Sequence, residues 1–407
     1  MFPTKDLLLR YPMTAVAVVF AVGIVVGREC FPTLAWLFWT LLSTGSLAVA
    51  IFFSRKPTAQ SLCLFLCVFA IGGLRMVVDG NQDLEEQRYV KHENHMRSAI
   101  IERMNHLFEQ AGATDEGGLV VAMSMGDKRN ISRDLRADYS ASGAAHVLAL
   151  SGLHIGIVFF VFRLLSGGRR KSRLSGAGLL SEAFIIAAIW VYVYVVGMPP
   201  SAVRAATMVS IYELMSLQHR DKISLNVIGA TAFIMLLIRP CDIYNIGFQL
   251  SFAAVVSIII SYSLFYSLLP KPQNRIVNYF WSLVCVSLAA QMGVAPLIAY
   301  HFGYVSLYAV FSSMVVIPCA FVIISLSVLL LVFLQVTPIA SLIAIVLGRV
   351  AYGMNLCVSW IAERPGATIG PVSLNRMQVL MLYLAICCTF ALLSLMRKKI
   401  KMMNKTS

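Results

Sequence analysis

Charge is scarce in this chain. Only 13% of its 407 residues are Asp, Glu, Lys or Arg, while 59% are hydrophobic. A soluble domain cannot hide that much apolar surface. Runs of about twenty apolar residues recur along most of the sequence, the length a helix needs to cross a bilayer. The short alternating segments of a membrane β-barrel are missing. The expected class is therefore all-α, a polytopic membrane helical bundle.

Other absences narrow the chemistry. The nine cysteines form no CxxC pair and no Cys/His zinc spacing. Most lie inside apolar runs and read as small buried hydrophobes. No glycine-rich phosphate loop follows a strand, so ATP hydrolysis is unsupported. There is no internal repeat and no low-complexity segment. The first apolar run, Met13–Val26, follows Lys5 and Arg10 as a signal peptide would. No small-x-small cleavage site follows it, and it reads as a retained first helix.

What is present is roughly twelve apolar segments, from Tyr11–Arg28 to Met377–Met396. Lys and Arg concentrate in alternate loops: Lys5/Arg10, Arg55/Lys56, Arg169–Arg173, Arg220/Lys222, Lys271/Arg275 and the tail from Arg397. The positive-inside rule then predicts an N-in, C-in topology. Two segments strain the count. Ser201–Leu217 is short and holds Arg204 and Glu213. Val305–Leu334 is long, with Pro318 near its middle, and is expected to be one broken or tilted helix.

The net charge of +14 needs no nucleic acid to explain it, because the excess lies in the inner loops and tail. Residues Asp79–Ser140 hold twelve acidic and eight basic side chains, so the expected outer segment is mildly acidic. Within it Met96, Ile100, Met104, Leu107, Phe108 and Ala111 share one helical stripe. That stripe suits either the membrane surface or the bundle, and Gly112 and Gly117–Gly118 are expected to end it.

Polar groups at membrane depth are costly and face a bundle interior, a partner or a water-filled cavity. Ala144–Leu165 reads as one spanning helix carrying His146, Ser151 and His154. Ser151 and His154, three apart, would share a face. His146 and His154, eight apart, would stand roughly 80° from each other. A metal site would want His at i and i+4 with carboxylates near, and a Ser/His hydrolase would want an orienting acid; neither stands nearby in sequence. A polar pathway wall and plain helix–helix hydrogen bonding remain. Further on, Pro199-Pro200 breaks the chain, Ser201 is expected to cap the restarted helix, and Arg204 lies one turn inside. Arg204 either snorkels to the interface or sits buried to meet a phosphate or carboxylate. Gln249 and Gln291 put further polar groups on apolar helices, and either bond their neighbours or line a hydrophilic cavity. No catalytic residue, metal site or cofactor is expected.

An ordered set of motifs resembles the ComEC-type competence proteins. It runs through Met125-Gly126-Asp127, Ser142-Gly143 to His146, Leu150-Ser151-Gly152-Leu153-His154, Gly197, Pro200-Ser201, Arg204-Ala205, Gly247 to Phe252, Pro296-Leu297, Phe302-Gly303 and Ile317-Pro318. Ser312 and Ser313 stand where the family pattern suggests an asparagine. The resemblance implies a channel in the bacterial inner (cytoplasmic) membrane that takes up single-stranded DNA in natural transformation. With that role, the polar residues His146, Ser151, His154, Arg204, Gln249 and Gln291 are the expected pathway-lining or DNA-contacting groups, and because hydrocarbon excludes them, His146, Ser151, His154, Arg204 and Gln249 are expected to converge on one cavity open towards the outside. A small-solute or ion transporter on the same scaffold is the alternative. The expected division is a three-helix membrane segment at 1–78, an extracytoplasmic amphipathic segment at 79–143, the channel domain at 144–396 and a basic cytoplasmic tail at 397–407. Many members carry an OB-type domain and a metallo-β-lactamase-like nuclease domain. Asp79–Glu116 is too short for the first, and no HxHxDH motif marks the second. Separate DNA-receptor, nuclease and cytoplasmic motor proteins are the expected partners, beside the lipid bilayer and, as one option, further copies of this chain.

Overall fold

A computed structural model describes residues 11–30, 35–79, 95–166, 176–217, 224–268 and 273–406. The described residues are almost wholly helical. In chain order the helices are α1 (Pro12–Cys30), α2 (Ala35–Phe52), α3 (Pro57–Asp79), α4 (His95–Gln110), α5 (Thr114–Met125), α6 (Arg133–Ala141), α7 (Gly152–Leu165) and α8 (Gly176–Val195). They continue with α9 (Pro200–Leu217), α10 (Ser224–Ile238), α11 (Ile246–Tyr266), α12 (Arg275–Phe302), α13 (Ala309–Phe333), α14 (Thr337–Ala362) and α15 (Arg376–Thr406). Short 3-10 turns occupy Ala145–Val147 and Pro240–Tyr244. Strands β1 (Val305–Ser306) and β2 (Thr368–Ile369) form one antiparallel pair, Val305 opposite Ile369.

Each of the apolar segments contains a helix, because in lipid every backbone polar group must find its partner within the segment. Among the described residues, eight helices are long and apolar enough to cross a membrane: α1, α3, α8 and α11–α15. The chain is a membrane protein. Helices α2, α7 and α10 are apolar but shorter.

Two compact units emerge, each assembled from separated stretches. One draws on Met1–Asn94, Arg170–Ile186 and Val203–Gln249. In it α1 and α3 pack backbone to backbone. A Cβ built on Gly23 would lie 2.1 Å from the Phe69 carbonyl oxygen, and one on Gly27 would lie 2.7 Å from Gly73 Cα. Trp39 of α2 is buried over Gly73. Helix α10 docks on α1, where Phe20 meets Phe233 edge-on and Thr14 donates to the Leu225 carbonyl. Arg75 of α3 donates to the carbonyls of Leu237 and Ile238, both at 2.8 Å, and so caps the carboxyl end of α10.

The other unit draws on His95–Arg169, Ala187–Ala202 and Leu250–Ser407. Its centre is α5, whose residues Gly117–Met125 are all buried, against α4, α13 and α14. Met104, Leu107 and Phe108 of the α4 stripe pack inward, joined by Ile101, while Met96 at its start is exposed. The bundle, not the membrane surface, therefore takes this face. Gly112 ends α4 in the left-handed region at φ 64°. Gly117 and Gly118, expected to end that helix, instead lie inside α5. They let the Phe108 ring and the Asn130 carbonyl approach to distances a side chain would forbid. Helix α6 is pinned to α14 by Tyr139 to Asn355 Oδ1 at 2.9 Å and Ser359 to Asp138 Oδ2 at 2.5 Å.

Helix α13 runs unbroken past Pro318, with 25 residues, about 37 Å at the usual rise. That length suffices for a single tilted crossing. It starts at Ala309 rather than Val305, because Val305 and Ser306 are held in the strand pair.

Candidate functional site

The histidine segment is not one helix. Helix α7 begins only at Gly152, and His146 lies in the 3-10 turn before it. The expectation of a continuous helix from Ala144 is corrected, and with it the angle between the two imidazoles. The fourteen residues of α7 rise about 21 Å, short of the roughly 30 Å hydrocarbon core.

A cap decides where α7 starts. Ser151 has extended backbone and stands at the N-cap, with His154 at the third helical position, forming a capping box. The Ser151 N–H donates to His154 Nδ1 at 2.9 Å. Nδ1 is thus an acceptor, and the neutral ring carries its proton on Nε2. His154 is 0% exposed, and Nε2 has no partner among the described residues. His146 has the opposite tautomer. Its Nδ1 lies 3.1 Å from the Gly143 carbonyl, which only accepts, so Nδ1–H donates and Nε2 keeps a lone pair. The His146 ring is exposed.

The break is held from several sides. Gly143, at φ 81°, lies so close to Ala309 and Ser306 that a Cβ would meet Ala309 Cβ at 2.5 Å. Ser306 Oγ donates to the Ala141 carbonyl at 2.9 Å. Ser201 Oγ donates to the Leu150 carbonyl. Ser201 was expected to cap α9, but that helix starts one residue earlier, at Pro200, and the hydroxyl ties its first turn to the break instead. Tyr192 OH donates to the Ser124 carbonyl at 2.8 Å, and Arg97 donates to the Met125 carbonyl at 2.9 Å. Sequence reasoning passed over Arg97, since it lies in a charged stretch that reads as solvated.

Gln291 sits half-buried in the middle of α12. On either side of it, Ser257 Oγ donates to the Ala289 carbonyl at 2.6 Å and Tyr383 OH to the Gly293 carbonyl at 2.7 Å. Pro296 disturbs this helix by withholding an N–H.

Arg204 of α9 and Gln249 of α11 belong to the first unit, and both donate to carbonyls of the stretch 243–247. Arg204 is 4% exposed and donates through Nη2 to the Gly247 carbonyl at 3.0 Å. Its Nε is buried with no hydrogen-bond partner among the described residues. Gln249 Nε2 donates to the Ile243 carbonyl at 3.0 Å. Asn245 Oδ1 accepts from the N–H groups of Gly247 and Phe248, which starts α11. The fold thus brings His146, Ser151 and His154 together in one unit and Arg204 with Gln249 in the other. Among the described residues no group of three or more His, Cys, Asp or Glu is placed to hold a metal ion. Outside the spanning helices, Asp127 is held below the ordinary carboxylate range, chiefly by its hydrogen bonds from Arg129.

The family model described as "Competence protein" matches residues 123–396. ComE operon protein 3 of Bacillus subtilis (strain 168) is 32% identical over 227 residues, 55% of this chain and 26% of that protein. An uncharacterized protein of Aquifex aeolicus (strain VF5) is 33% identical over 196 residues, 48% of this chain and 42% of its own length. The uncharacterized protein YcaI of Escherichia coli (strain K12) is 24% identical over 208 residues, 49% of this chain and 27% of its own length. The chain therefore spans between about a quarter and two-fifths of these relatives. No solved structure matches. The matched region holds the capped start of α7, the histidines on either side of it and every long apolar helix from α8 onward, and on that ground the chain belongs to the competence protein family.

Proposed function

We propose that this chain forms a path for single-stranded DNA across the bacterial cytoplasmic membrane during natural transformation. The observation that carries the reading is the family match over residues 123–396. The geometry of α7 supports it. A half-length helix whose amino end lies within a bundle directs unpaired N–H groups, and the positive end of its dipole, at whatever passes. Anionic cargo suits such an end. His154 Nε2–H adds a donor that hydrocarbon would not tolerate without a ligand, water or partner. The chain acts as a conduit rather than an enzyme. DNA capture, degradation of the other strand and the driving force fall to separate receptor, nuclease and motor proteins. The test is uptake of labelled DNA by a strain lacking this chain. Uptake is expected to stop at the membrane and to return with the gene; undiminished entry would overturn the reading.

A further inference from the structure

One end of the histidine unit carries exposed rings on a clamped frame. Helices α12 and α14 finish there, and α13 and α15 begin. Main-chain bonds join the two connections. Val305 pairs with Ile369 and Ser306 with Thr368. The Leu307 N–H donates to the Ala367 carbonyl at 3.1 Å, and the Val372 N–H donates to the Gly303 carbonyl at 2.8 Å. Tyr308 OH donates to the Pro365 carbonyl at 3.1 Å.

Tyr308 and Phe311 stand with ring centroids 6.4 Å apart. The Arg364 guanidinium lies 4.2 Å from the centroid of the Trp360 ring, and its Nε donates to the Trp360 carbonyl at 3.1 Å. Pro365 follows Arg364, so the Tyr308 bond brings both groups of rings to one turn. Trp360 is 60% exposed and Phe311 64% exposed, so Arg364 leaves much of the indole open. Aromatic residues at helix ends ordinarily anchor in the membrane interface. Two observations set this group apart. A fluid interface needs no fixed ring orientation, yet here two connections are locked together by backbone and side-chain bonds. The frame is also continuous with the break before α7. Ser306 Oγ holds the Ala141 carbonyl, Gly143 lies against Ser306 and Ala309, and the exposed His146 is bonded to the Gly143 carbonyl.

We propose that Trp360, Tyr308 and Phe311 form a stacking platform for the bases of single-stranded DNA, with Arg364 as the cation beside it. The inference rests on the function proposed above and names what holds the strand. Every base has a π-face, so stacking tolerates any sequence, as a general path requires. A guanidinium over an indole adds cation–π attraction and keeps donors near the phosphates. Rings already fixed in place lose little freedom when a base arrives.

The test uses the full chain in lipid nanodiscs. Binding of dye-labelled oligothymidylate is measured beside an abasic oligomer of equal length, which keeps the phosphates and lacks the bases. Trp360→Ala and Phe311→Ala are each expected to weaken oligothymidylate binding roughly ten-fold, the order one stacked base supplies, and to leave the abasic oligomer unchanged. Trp360→Phe keeps a ring and is expected to bind nearly as wild type does. Tryptophan fluorescence tests the wild-type fold directly: oligothymidylate is expected to quench a component that Trp360→Phe lacks. Equal losses for both oligomers, or no loss for either, overturn the platform. Quenching of the Trp360 component by brominated lipid and not by oligothymidylate makes the rings a membrane belt only and also overturns it. The uptake assay on the deletion strain reports separately on the function, so the two failures are distinguishable.

Discussion

The backbone N–H of Ser151 donates to the imidazole Nδ1 of His154 at 2.9 Å. This one bond fixes where α7 begins, which tautomer the ring adopts and which donor is left over. Losing an acceptor for a buried N–H costs about 1–3 kcal/mol. His154→Leu is expected to lower thermal stability by that order and to abolish DNA uptake while the protein stays in the membrane. His154→Gln reaches back to the N-cap as Gln does in ordinary capping boxes, and is expected to lose less. Thermal unfolding in detergent, membrane abundance and uptake measure all three. Equal losses for Leu and Gln would show that the cap is not what the ring provides.

Gly23 and Gly45 offer a matched pair in unit one. Gly23→Ala places a methyl 2.1 Å from the Phe69 carbonyl oxygen, whereas a Cβ at Gly45 meets nothing within 4 Å. The first is expected to force α1 from α3 and to destabilise. The second is expected to stabilise by up to about 1 kcal/mol through helix propensity. Midpoints that move in the same direction would contradict the packing described.

Tyr383 ties α15 to α12 through the Gly293 carbonyl. Removing that hydroxyl costs roughly 0.5–1.5 kcal/mol. Tyr383→Phe is expected to speed proteolysis or hydrogen exchange in α15 before the rest of the bundle changes. Unaltered exchange there would remove this bond from the account.

Asp127 supplies a pH dependence. Its carboxyl is held below the model-peptide value of 3.8, chiefly by hydrogen bonds from Arg129. A folded pKa below the unfolded one gives stability that is present above the unfolded value and lost as pH falls through the folded one. Wild type and Asp127→Asn should therefore differ near neutral pH and converge in strong acid. The difference should be small, because Arg129 is 71% exposed and solvent screens the pair. A gap that widens on acidification would reverse the sign.

Topology rests on the loop charges. Reporter fusions after Lys171 and after His95 are expected to report opposite sides of the membrane. The same side for both would refute the N-in, C-in arrangement.

The sequence by itself determined that the chain is helical and lies in a membrane. Apolar runs such as Ala309–Phe333 leave the backbone no other way to satisfy its hydrogen bonds in lipid. It also made the polar insertions visible, because His154, Arg204 and Gln249 stand out against hydrocarbon composition. The start of α7 was half legible. Ser151 has the form of an N-cap, but histidine is not the usual partner three residues on, and the apolar run hid the boundary. The buried run Leu119–Met125 lay in plain sight, yet its charged neighbours made the segment read as outer and solvated. Tertiary structure alone decided that this run is the centre of a unit, that Arg97 caps the carboxyl end of α5 at Met125, and that Arg204 is spent on a turn of its own unit. Periodicity reports what one helix presents to its neighbours. Which neighbour arrives depends on contacts between residues far apart in sequence, such as Gly143 with Ala309 or Ser201 with Leu150, and these exist only after the chain has packed.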